Sequence, residues 1–432
     1  MQDARVAEIG AALMARLDAL ARFTDEPGRL TRFYLTPAHR AAADQLRGWM
    51  EEAGLTSEID AIGNVVGRAG VVSDRPLLIL GSHIDTVRDA GRYDGALGVL
   101  GAIAAVEELR RRGAALPFDV EVIAFGDEEG ARFPATLSGS RAVAGSFDLA
   151  TLDVVDAEGV SLRQALEAFG CDPADIRALS RRGRRVVGYL ELHIEQGPVL
   201  EAEGLPVGVV TAIAGAVRVT ATLRGVAGHA GTVPMAMRRD ALTAAAELVL
   251  AVEEAAQVNG GGLVATVGQL TLRPGASNSI PGEVVLSIDL RAERDHVRDA
   301  ALHLIETAAR AIAATRQVMV ELRATYEAPA VQCDAGLQAI LARAVTAFGL
   351  PVCHLQSGAG HDALVMGPLG RIGMLFTRCR GGVSHTPAES ITLEDAGVSV
   401  MVLCSAIEML ADDESFWVEP ESPHGGGASH VS

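Results

Sequence analysis

Apolar residues recur along this chain with two alternating periods. The first twenty residues, MQDARVAEIGAALMARLDAL, show helical spacing and predict a helix over residues 3–21, and a second helix is predicted over 38–53 after Pro37. The apolar runs PLLILGSH and DVEVIAFG are typical of buried strands, and a helical pattern or a turn-rich segment follows each. Strands alternating with helices predict a mostly parallel, helix-covered sheet, with ligands gathered beyond the carboxyl ends of its strands.

A different pattern begins near residue 214. AVRVTATLRG alternates like a half-buried strand, DALTAAAELVLAVEEAAQ is helical, and two strand-like runs, a helix and a further strand follow. This β-α-β-β-α-β order is ferredoxin-like. We therefore predict an α/β protein whose catalytic domain, 1–213 and 329–412, carries an inserted α+β domain over 214–328. The Gly-, Ser- and Pro-rich tail 413–432 is predicted to be disordered.

Length, charge and cysteine usage narrow the class of protein. A chain of 432 residues exceeds what one hydrophobic core usually serves, so two domains are expected. The net charge of −18 argues against nucleic acid or an anionic membrane as a partner. Five scattered cysteines, and an N-terminal segment without the long apolar core of a signal peptide, favour a reduced compartment. These features predict a soluble cytoplasmic protein.

Five side chains of metal-binding type follow strand-like runs or lie in glycine-rich turns. They are His83 in GSHIDTV, Asp94 in YDGALG, Glu129 in GDEEG, His193 in LELHIEQG and His385 in VSHTPAE. Three imidazoles and two carboxylates satisfy two adjacent divalent cations if one carboxylate bridges them, and these ligand types suit Zn²⁺ or Mn²⁺. Such a pair polarises a carbonyl group and activates water, so the residues indicate a metal-dependent hydrolase.

Each of these motifs alone has an ordinary explanation. Asp85 lies two residues after His83 and can orient its ring, yet an isolated His-x-Asp often has no function. An acidic triplet such as 127–129 is usually a solvated turn, but three carboxylates directly after a buried-type strand repel one another unless cations neutralise them. Of the two glutamates, one can then be a ligand and the other, with a raised pKa, a base.

The inserted domain holds a second group of candidates: His229 in VAGHAG, Asn278 in SNSIPG and Arg291 in DLRAE. Gln196, directly after the His193 strand, is an uncharged donor and acceptor suited to an amide. A histidine in a glycine-rich turn and an arginine at a strand end are commonly surface residues, so their chemistry stays open on these patterns alone.

Taken together, GSHIDTV, DGALG, DEEGARF, ELHIEQGPVLE, GHAGTVPM, SNSIPG, SGAGHDA and SHTPAE occur in one order. This series resembles the ureido-amidohydrolase branch of the aminoacylase/carboxypeptidase-G-like metallopeptidases, over roughly residues 20–410. The resemblance implies a catalytic domain with two divalent metal ions per subunit, Zn²⁺ or Mn²⁺ (with Co²⁺ or Ni²⁺ as substitutes in vitro). It also implies a lid domain through which two subunits form a homodimer.

The resemblance further implies a role for each candidate. His83 and His193 would hold one metal, Glu129 and His385 the other, and Asp94 would bridge them, with Glu128 as the general base and Asp85 as a catalytic neighbour. His229, Asn278 and Arg291 would act in the partner subunit's site, on the oxyanion and the substrate carboxylate. Gln196, Gly360 and His361 would complete the substrate pocket.

The implied reaction is hydrolysis of a terminal ureido C–N bond in a small carboxylate-bearing compound. The stretch DEEGARFPATLSGSRAVAG, with Pro134 after Arg-Phe, is more similar to allantoate amidohydrolases, which form ureidoglycine, ammonia and carbon dioxide. N-carbamoyl-L-amino acids, or β-ureidopropionate, remain the alternative. A dipeptidase or deacylase fits HIEQGP and SGAGHDA less well, and a non-catalytic binding protein would have lost ligands that this chain retains.

Overall fold

The computed structural model describes residues 2–70, 74–260 and 262–418. Its strands are β1 (Thr56–Ile59), β2 (Val65–Ala69), β3 (Leu77–His83), β4 (Asp119–Phe125), β5 (Val186–Ile194), β6 (Val207–Ile213), β7 (Gly215–Arg224), β8 (Gly228–His229), β9 (Val264–Thr266), β10 (Leu270–Arg273), β11 (Ser279–Ile280), β12 (Glu283–Ala292), β13 (Met319–Ala328), β14 (Val331–Gln332), β15 (His354–Ser357) and β16 (Ile372–Thr377). Its α-helices are α1 (Gln2–Leu20), α2 (Pro37–Glu52), α3 (Ala96–Arg112), α4 (Ser138–Val143), α5 (Leu162–Phe169), α6 (Val199–Glu203), α7 (Ala241–Asn259), α8 (Asp295–Arg316), α9 (Ala335–Ala347), α10 (Ala363–Met366) and α11 (Leu393–Asp412).

The chain divides into two compact units. The first takes in Cys333–Leu355 and the described parts of Met1–Val210 and His361–Ser432, and the second takes in Gln356–Gly360 and the described part of Thr211–Gln332. Of the tail predicted to be disordered, residues 413–418 are described and include a 3₁₀ turn, Glu414–Phe416. The rest of that prediction, 419–432, lies outside the described residues.

The first unit is built on a sheet with the strand order β1-β2-β4-β3-β5-β16-β6, and β14 and β15 also pair with β6. β4, β3, β5 and β16 are mutually parallel. All seven residues of β3 are buried, as expected for a strand covered on both faces. The apolar residues of α1 at helical spacing are likewise buried, in one core with α3 and α11: Val6, Ile9, Leu13, Leu17 and Leu20.

The prediction of a mostly parallel sheet holds for these four central strands and is wrong for the flanks. β1 pairs antiparallel with β2, β2 with β4, and β16 with β6. The link between β1 and β2 is a short turn in which Asp60 accepts the backbone N–H groups of Ile62 and Asn64. A turn of this length joins only antiparallel neighbours, whereas a parallel pair needs a crossover of a dozen or more residues.

The second unit holds an antiparallel sheet in the order β10-β12-β7-β13, with β9 also paired to β12. Burial alternates residue by residue along β12, whose inner face packs into one apolar core with α7 and α8. The elements follow the order β-α-β-β-α-β, with the second strand divided. The first of the two strand-like runs, LVATVGQLTLRPG over residues 263–275, forms two separate strands, β9 and β10. The backbone N–H of Gln269 between them donates to the hydroxyl of Ser287.

Within the described part of the chain, every helix is too short or too polar for a membrane span.

Candidate metal centre

The parallel strands bring the predicted ligands to one edge of the first unit's sheet. His83 is the last residue of β3, Glu129 follows β4, and His193 is the penultimate residue of β5. His83 lies opposite Phe125 of β4, and His193 lies opposite Phe376 of β16. Because the carboxyl ends of parallel strands meet at the same edge, residues far apart in sequence become neighbours.

His83 and His193 present bare ring nitrogens to a shared space. Nδ1 of His83 lies 3.0 Å from the carbonyl oxygen of Asp85, and Nδ1 of His193 lies 2.9 Å from that of Ile194. A carbonyl oxygen can only accept, so each Nδ1 carries a hydrogen, and the neutral form of each ring has its lone pair on Nε2. The two Nε2 atoms are 3.5 Å apart. Two lone pairs facing each other in a buried site are the donor set of a cation.

Asp94 contributes one carboxylate oxygen to each of two groups of ligand atoms. Its Oδ1 lies 3.9 Å from Nε2 of His83 and 3.3 Å from Nε2 of His193. Its Oδ2 lies 3.1 Å from Nε2 of His385, which in turn is 3.8 Å from Oε1 of Glu129. In each group the ligand atoms lie within 4.8 Å of one another. The five predicted residues therefore form two adjoining three-ligand groups that share Asp94, and their geometry fits two cations.

Several carboxylates and imidazoles of the cluster have shifted pKa values because these groups lie close together. Burial would raise the pKa of Asp94, but the hydrogen bond with His385 and the charges of the other two histidines outweigh it and lower that pKa. The same hydrogen bond raises the pKa of His385 to about 9, and burial together with Asp94 raises the pKa of Glu129 to about 8. These opposed pKa shifts arise because carboxylates and imidazoles are crowded together. A divalent cation bound among them would balance the negative charge of the carboxylates.

Glu128 lies beside this cluster with 11% of its side chain exposed, and its Oε2 is 3.9 Å from Nε2 of His83. Burial, followed by the negative charge of Glu129, raises the pKa of Glu128 well above its usual range. A glutamate whose pKa is raised above its usual range is a stronger base than an ordinary carboxylate, and this suits the predicted role of Glu128. The structure thus places the two adjacent glutamates in different environments.

Asp85 lies in the cluster, but its carboxylate does not hydrogen-bond the His83 ring, which is the role that the sequence predicted for it. The carboxylate lies 3.8 Å from Nδ1 of His83 and accepts the backbone N–H groups of Glu128 and Glu129, each at 3.1 Å. The carbonyl of Asp85 takes the His83 hydrogen instead. Two N–H donors from one turn satisfy a carboxylate better than one imidazole, so Asp85 orients the glutamate turn with its side chain and His83 with its backbone.

Backbone conformation at the cluster is unusual at several positions. Gln196 has φ +54° and His385 has φ +58°, in the left-handed region that side chains seldom adopt. Gly95, with φ +64°, lies so close to His83 that a Cβ there would fall 2.5 Å from its ring. Strained backbone persists only where surrounding contacts fix it, and a glycine is required where a ligand ring approaches the chain so closely.

Of the predicted pocket residues in the first unit, Gln196 and His361 lie at the cluster. Nε2 of Gln196 donates to Oδ2 of Asp94 at 3.0 Å and to Oγ of Ser384 at 3.1 Å. The ring of His361 packs edge-on against His193 at 4.4 Å between centroids. Burial, followed by the nearby His193, lowers the pKa of His361 well below its usual range, so this ring is neutral.

The other predicted substrate residues belong to the second unit: His229, Asn278, Arg291 and Gly360. His229 of β8 lies opposite Ser279 of β11, and the carbonyl of Asn278 accepts the N–H of Ala230 at 2.8 Å. Arg291 donates to Asp289 at 2.8 Å and to the carbonyl of Gly358 at 2.7 Å. A substrate carboxylate would therefore share Arg291 with Asp289.

Three polar residues beside the ligands were not among the predicted site residues: Glu191 and Glu389, which are buried, and Ser384, which is half-buried. Glu191, two residues before His193 in β5, accepts the hydroxyl of Ser82 at 2.9 Å and the N–H of Ala363 at 3.0 Å. Ser384 and Glu389 flank the His385 turn and connect it to the Asp94 loop. Glu389 stands inside SHTPAE, so the motif contained it, but no local pattern indicated its partner.

Known proteins resemble this chain over most of its length. The family model described as peptidase family M20/M25/M40 matches residues 79–409. An allantoate deiminase from Arabidopsis thaliana is 41% identical over 91% of this chain and 81% of its own length. An N-carbamoyl-L-amino acid amidohydrolase from Geobacillus stearothermophilus is 42% identical over 94% of this chain and 99% of its own. The crystal structure of a hydantoinase/carbamoylase-family amidase from Burkholderia multivorans superposes with a TM-score of 0.88 at 33% identity, covering 94% of this chain and 98% of that one.

Proposed function

The chain belongs to peptidase family M20/M25/M40, and we propose that it hydrolyses the terminal ureido C–N bond of a small carboxylate-bearing ureido compound. The resemblance to the ureido-amidohydrolase branch is thereby confirmed at the level of the family. The proposal rests mainly on the carboxylate of Asp94, whose one oxygen faces His83 and His193 while the other faces His385. That arrangement suits a two-cation hydrolase.

The ligand types favour Zn²⁺ or Mn²⁺, two per subunit, because imidazole and carboxylate together suit both. Divalent cations held there supply Lewis acidity toward a carbonyl oxygen and acidify water. Glu128 takes the proton of the attacking water and passes it to the departing nitrogen, a role consistent with its burial and raised pKa. Water and the ureido group then yield ammonia and carbon dioxide, leaving the amine.

Substrate contacts are assigned by the resemblance together with side-chain chemistry. Arg291 offers a planar, bidentate match to the substrate carboxylate, and a lysine would not reproduce it. His229 stabilises the oxyanion that develops at the ureido carbonyl, and Asn278 hydrogen-bonds the substrate. Gln196, Gly360 and His361 complete the pocket.

We propose that the protein is a cytoplasmic homodimer in which His229, Asn278 and Arg291 serve the partner subunit's site. Exposed apolar side chains on α7 and on the edge strand β10 of the second unit support this association. Leu250 and Val258 of α7 are 64% and 71% exposed, and Leu270 of the edge strand β10 is 42% exposed. Exposed apolar residues next to an unpaired strand edge are common features of protein interfaces.

Allantoate is the proposed substrate, on the similarity of the stretch around Pro134 to allantoate amidohydrolases. In the structure this stretch is anchored by interior contacts: Arg132 donates to Asp156 at 3.0 Å and to the carbonyl of Tyr34 at 2.9 Å, and Phe133 is buried. Its influence on the substrate would therefore come through the position of the loop. Identity to the N-carbamoyl-L-amino acid amidohydrolase is as high as to the allantoate deiminase, so N-carbamoyl-L-amino acids are the second candidate.

The deciding experiment compares kcat/KM for allantoate, N-carbamoyl-L-methionine and N-carbamoyl-β-alanine, with Mn²⁺ or Zn²⁺ restored and ammonia release as the readout. A preference for allantoate is the expected result. A clear preference for N-carbamoyl-L-methionine would overturn the substrate assignment and retain the reaction class. Ammonia release from none of the three, in metal-loaded protein, would contradict the proposed reaction.

A further inference from the structure

Glu389 is a buried carboxylate that bridges two ligand-bearing loops. Its Oε1 accepts the backbone N–H groups of Tyr93 and Asp94, at 2.8 and 3.1 Å. Its Oε2 accepts the hydroxyl of Ser384, the residue before His385, at 2.9 Å. Only 5% of Glu389 is exposed, so water cannot easily replace these three donors.

The contact between Glu389 and Ser384 determines the direction in which the hydroxyl hydrogen of Ser384 points. The Ser384 hydroxyl has a single hydrogen and two possible acceptors, Glu389 at 2.9 Å and Oδ2 of Asp94 at 3.3 Å. Gln196 already donates to the Ser384 oxygen. With Glu389 as the nearer acceptor, the hydrogen points away from Asp94, so Ser384 adds no further donor to Oδ2 of Asp94, which already accepts Gln196.

The chain backbone is shaped to admit this carboxylate. A Cβ added at Gly91 would lie 2.3 Å from Oε1 of Glu389, far inside contact distance. Glycine at position 91 therefore gives Glu389 the space to reach the N–H groups of the Asp94 loop. The close approach of Glu389 to Gly91 and the hydrogen bonds of Glu389 are two independent observations, and both indicate that this carboxylate is fixed in place.

We infer that Glu389 is a positioning residue for the metal centre: it fixes the Asp94 loop to the His385 turn and withholds the Ser384 hydrogen from the bridging carboxylate. The inference deepens the proposed function, since it concerns the same cation pair. It assigns to Glu389 no contact with substrate. Its effect is on the affinity of the group formed by Asp94, Glu129 and His385.

The test measures Zn²⁺ and Mn²⁺ affinity of the full-length protein by competition with a chromophoric chelator. Glu389→Gln keeps an oxygen for the two N–H groups but presents an NH₂ group to Ser384, whose hydrogen must then turn to Asp94. The weaker of the two binding steps is expected to lose roughly tenfold to a hundredfold in affinity, the usual effect of removing a partner of a metal ligand. The exposed Glu394→Gln is the matched control and should bind as the wild type does.

A second substitution separates positioning from general stability. Removing the hydroxyl with Ser384→Ala in the Glu389→Gln background takes away the misdirected hydrogen, so affinity should recover by several-fold. A role limited to folding predicts a further loss in the double variant. Unchanged affinity in Glu389→Gln, or no recovery in the double variant, would overturn the inference.

Gly91→Ala provides an independent check, because it displaces Glu389 without changing any hydrogen-bonding group. It should weaken the same binding step while the other step changes little; equal weakening of both steps would contradict the inference. The metal titration is independent of catalysis. Protein that binds metal as expected but hydrolyses no ureido compound would remove the proposed function and leave this inference intact.

Discussion

The carboxylate of Asp85 holds the backbone N–H of Glu128 at 3.1 Å, so the residue two positions after one ligand sets the position of the proposed base. The second oxygen does the same for Glu129. Because Asp85 is only 1% exposed, no water can take over these bonds. A single side chain therefore links the end of β3 to the turn that follows β4.

Asp85→Asn should therefore lower kcat by about tenfold to a hundredfold with a smaller change in KM, because one N–H of the glutamate turn loses its acceptor. Steady-state kinetics with metal restored would measure this. Asp89→Asn, on the same loop but outside the cluster, serves as the control. Wild-type kcat in Asp85→Asn would show that the turn does not depend on this carboxylate.

Glu128→Gln should abolish turnover while the protein keeps its metal. The amide has the size of the carboxyl group but no basicity, and Glu128 belongs to neither of the two ligand groups that share Asp94. A loss of at least a hundredfold in kcat is expected from the usual contribution of general acid–base catalysis. Metal analysis of the same preparation excludes metal loss as the cause. Near-normal turnover would refute the assignment.

Asp94→Ala should reduce bound metal more than any other single ligand replacement. Its two oxygens lie in both of the groups that share Asp94, whereas His83 belongs to one of these two groups and His385 to the other. Purified, reloaded and dialysed protein should retain less than one ion per chain, against about one in His385→Ala, because only Asp94 is shared. Inductively coupled plasma analysis gives these ratios. Two ions retained in Asp94→Ala would exclude a bridging role.

Mixing two inactive variants tests the proposed composite site. Arg291→Ala lacks the carboxylate contact and Glu128→Gln lacks the base, so a heterodimer carries one site with both residues if Arg291 acts on the partner. Random exchange should restore about a quarter of wild-type activity, since half the dimers are mixed and each has one complete site. Exchange must be verified with tagged subunits. Verified exchange without recovered activity would place Arg291 in its own subunit's site.

His39 predicts acid sensitivity of the fold. The ring is fully buried, accepts the N–H of Leu35 on Nδ1 at 3.0 Å and stacks on Phe169. Burial, then Arg32 and Arg132, lowers the pKa of His39 to about 3. The folded state therefore binds no proton there between about pH 6.5 and 3, whereas the unfolded state does. The free energy of unfolding should fall with decreasing pH in that window, by at most about 1.4 kcal/mol per pH unit from this group.

Denaturant unfolding of His39→Gln at several pH values between 7 and 4 would check this. The variant loses stacking and is less stable overall, but its stability should depend less steeply on pH than that of the wild type. His303→Gln, at a histidine whose side chain is 73% exposed, should keep the wild-type slope. Identical slopes for wild type and His39→Gln would contradict the prediction.

Periodicity was sufficient to predict most of the elements, because burial acts on each of them locally. α1 and β12 show the predicted spacing in their buried residues, and the carboxyl ends of β3, β4 and β5 bring His83, Glu129 and His193 together. The antiparallel flanks of the sheet were not predictable in this way. Pairing at an edge depends on which strand arrives there and on the length of the preceding turn, which apolar pattern alone does not encode.

The finer organisation of the site also escaped sequence reasoning. Asp85 was expected to hold His83 with its carboxylate, and only the three-dimensional position of the glutamate turn reveals the better donors. Glu389 lies 295 residues from Asp94, so no spacing rule connects them. Contacts of this kind arise from tertiary packing of loops, whose conformation is set by neighbours rather than by their own composition.

The distance in sequence between Asp94 and Glu389 also affects biosynthesis. A ribosome making this chain releases His83, Asp94, Glu129 and His193 first, then the whole second unit, and only afterwards His385 and Glu389. The group formed by Asp94, Glu129 and His385 therefore stays incomplete until about nine-tenths of the chain has emerged. Two cations can therefore be bound only late in synthesis. A prematurely terminated chain would lack one of the two complete ligand groups.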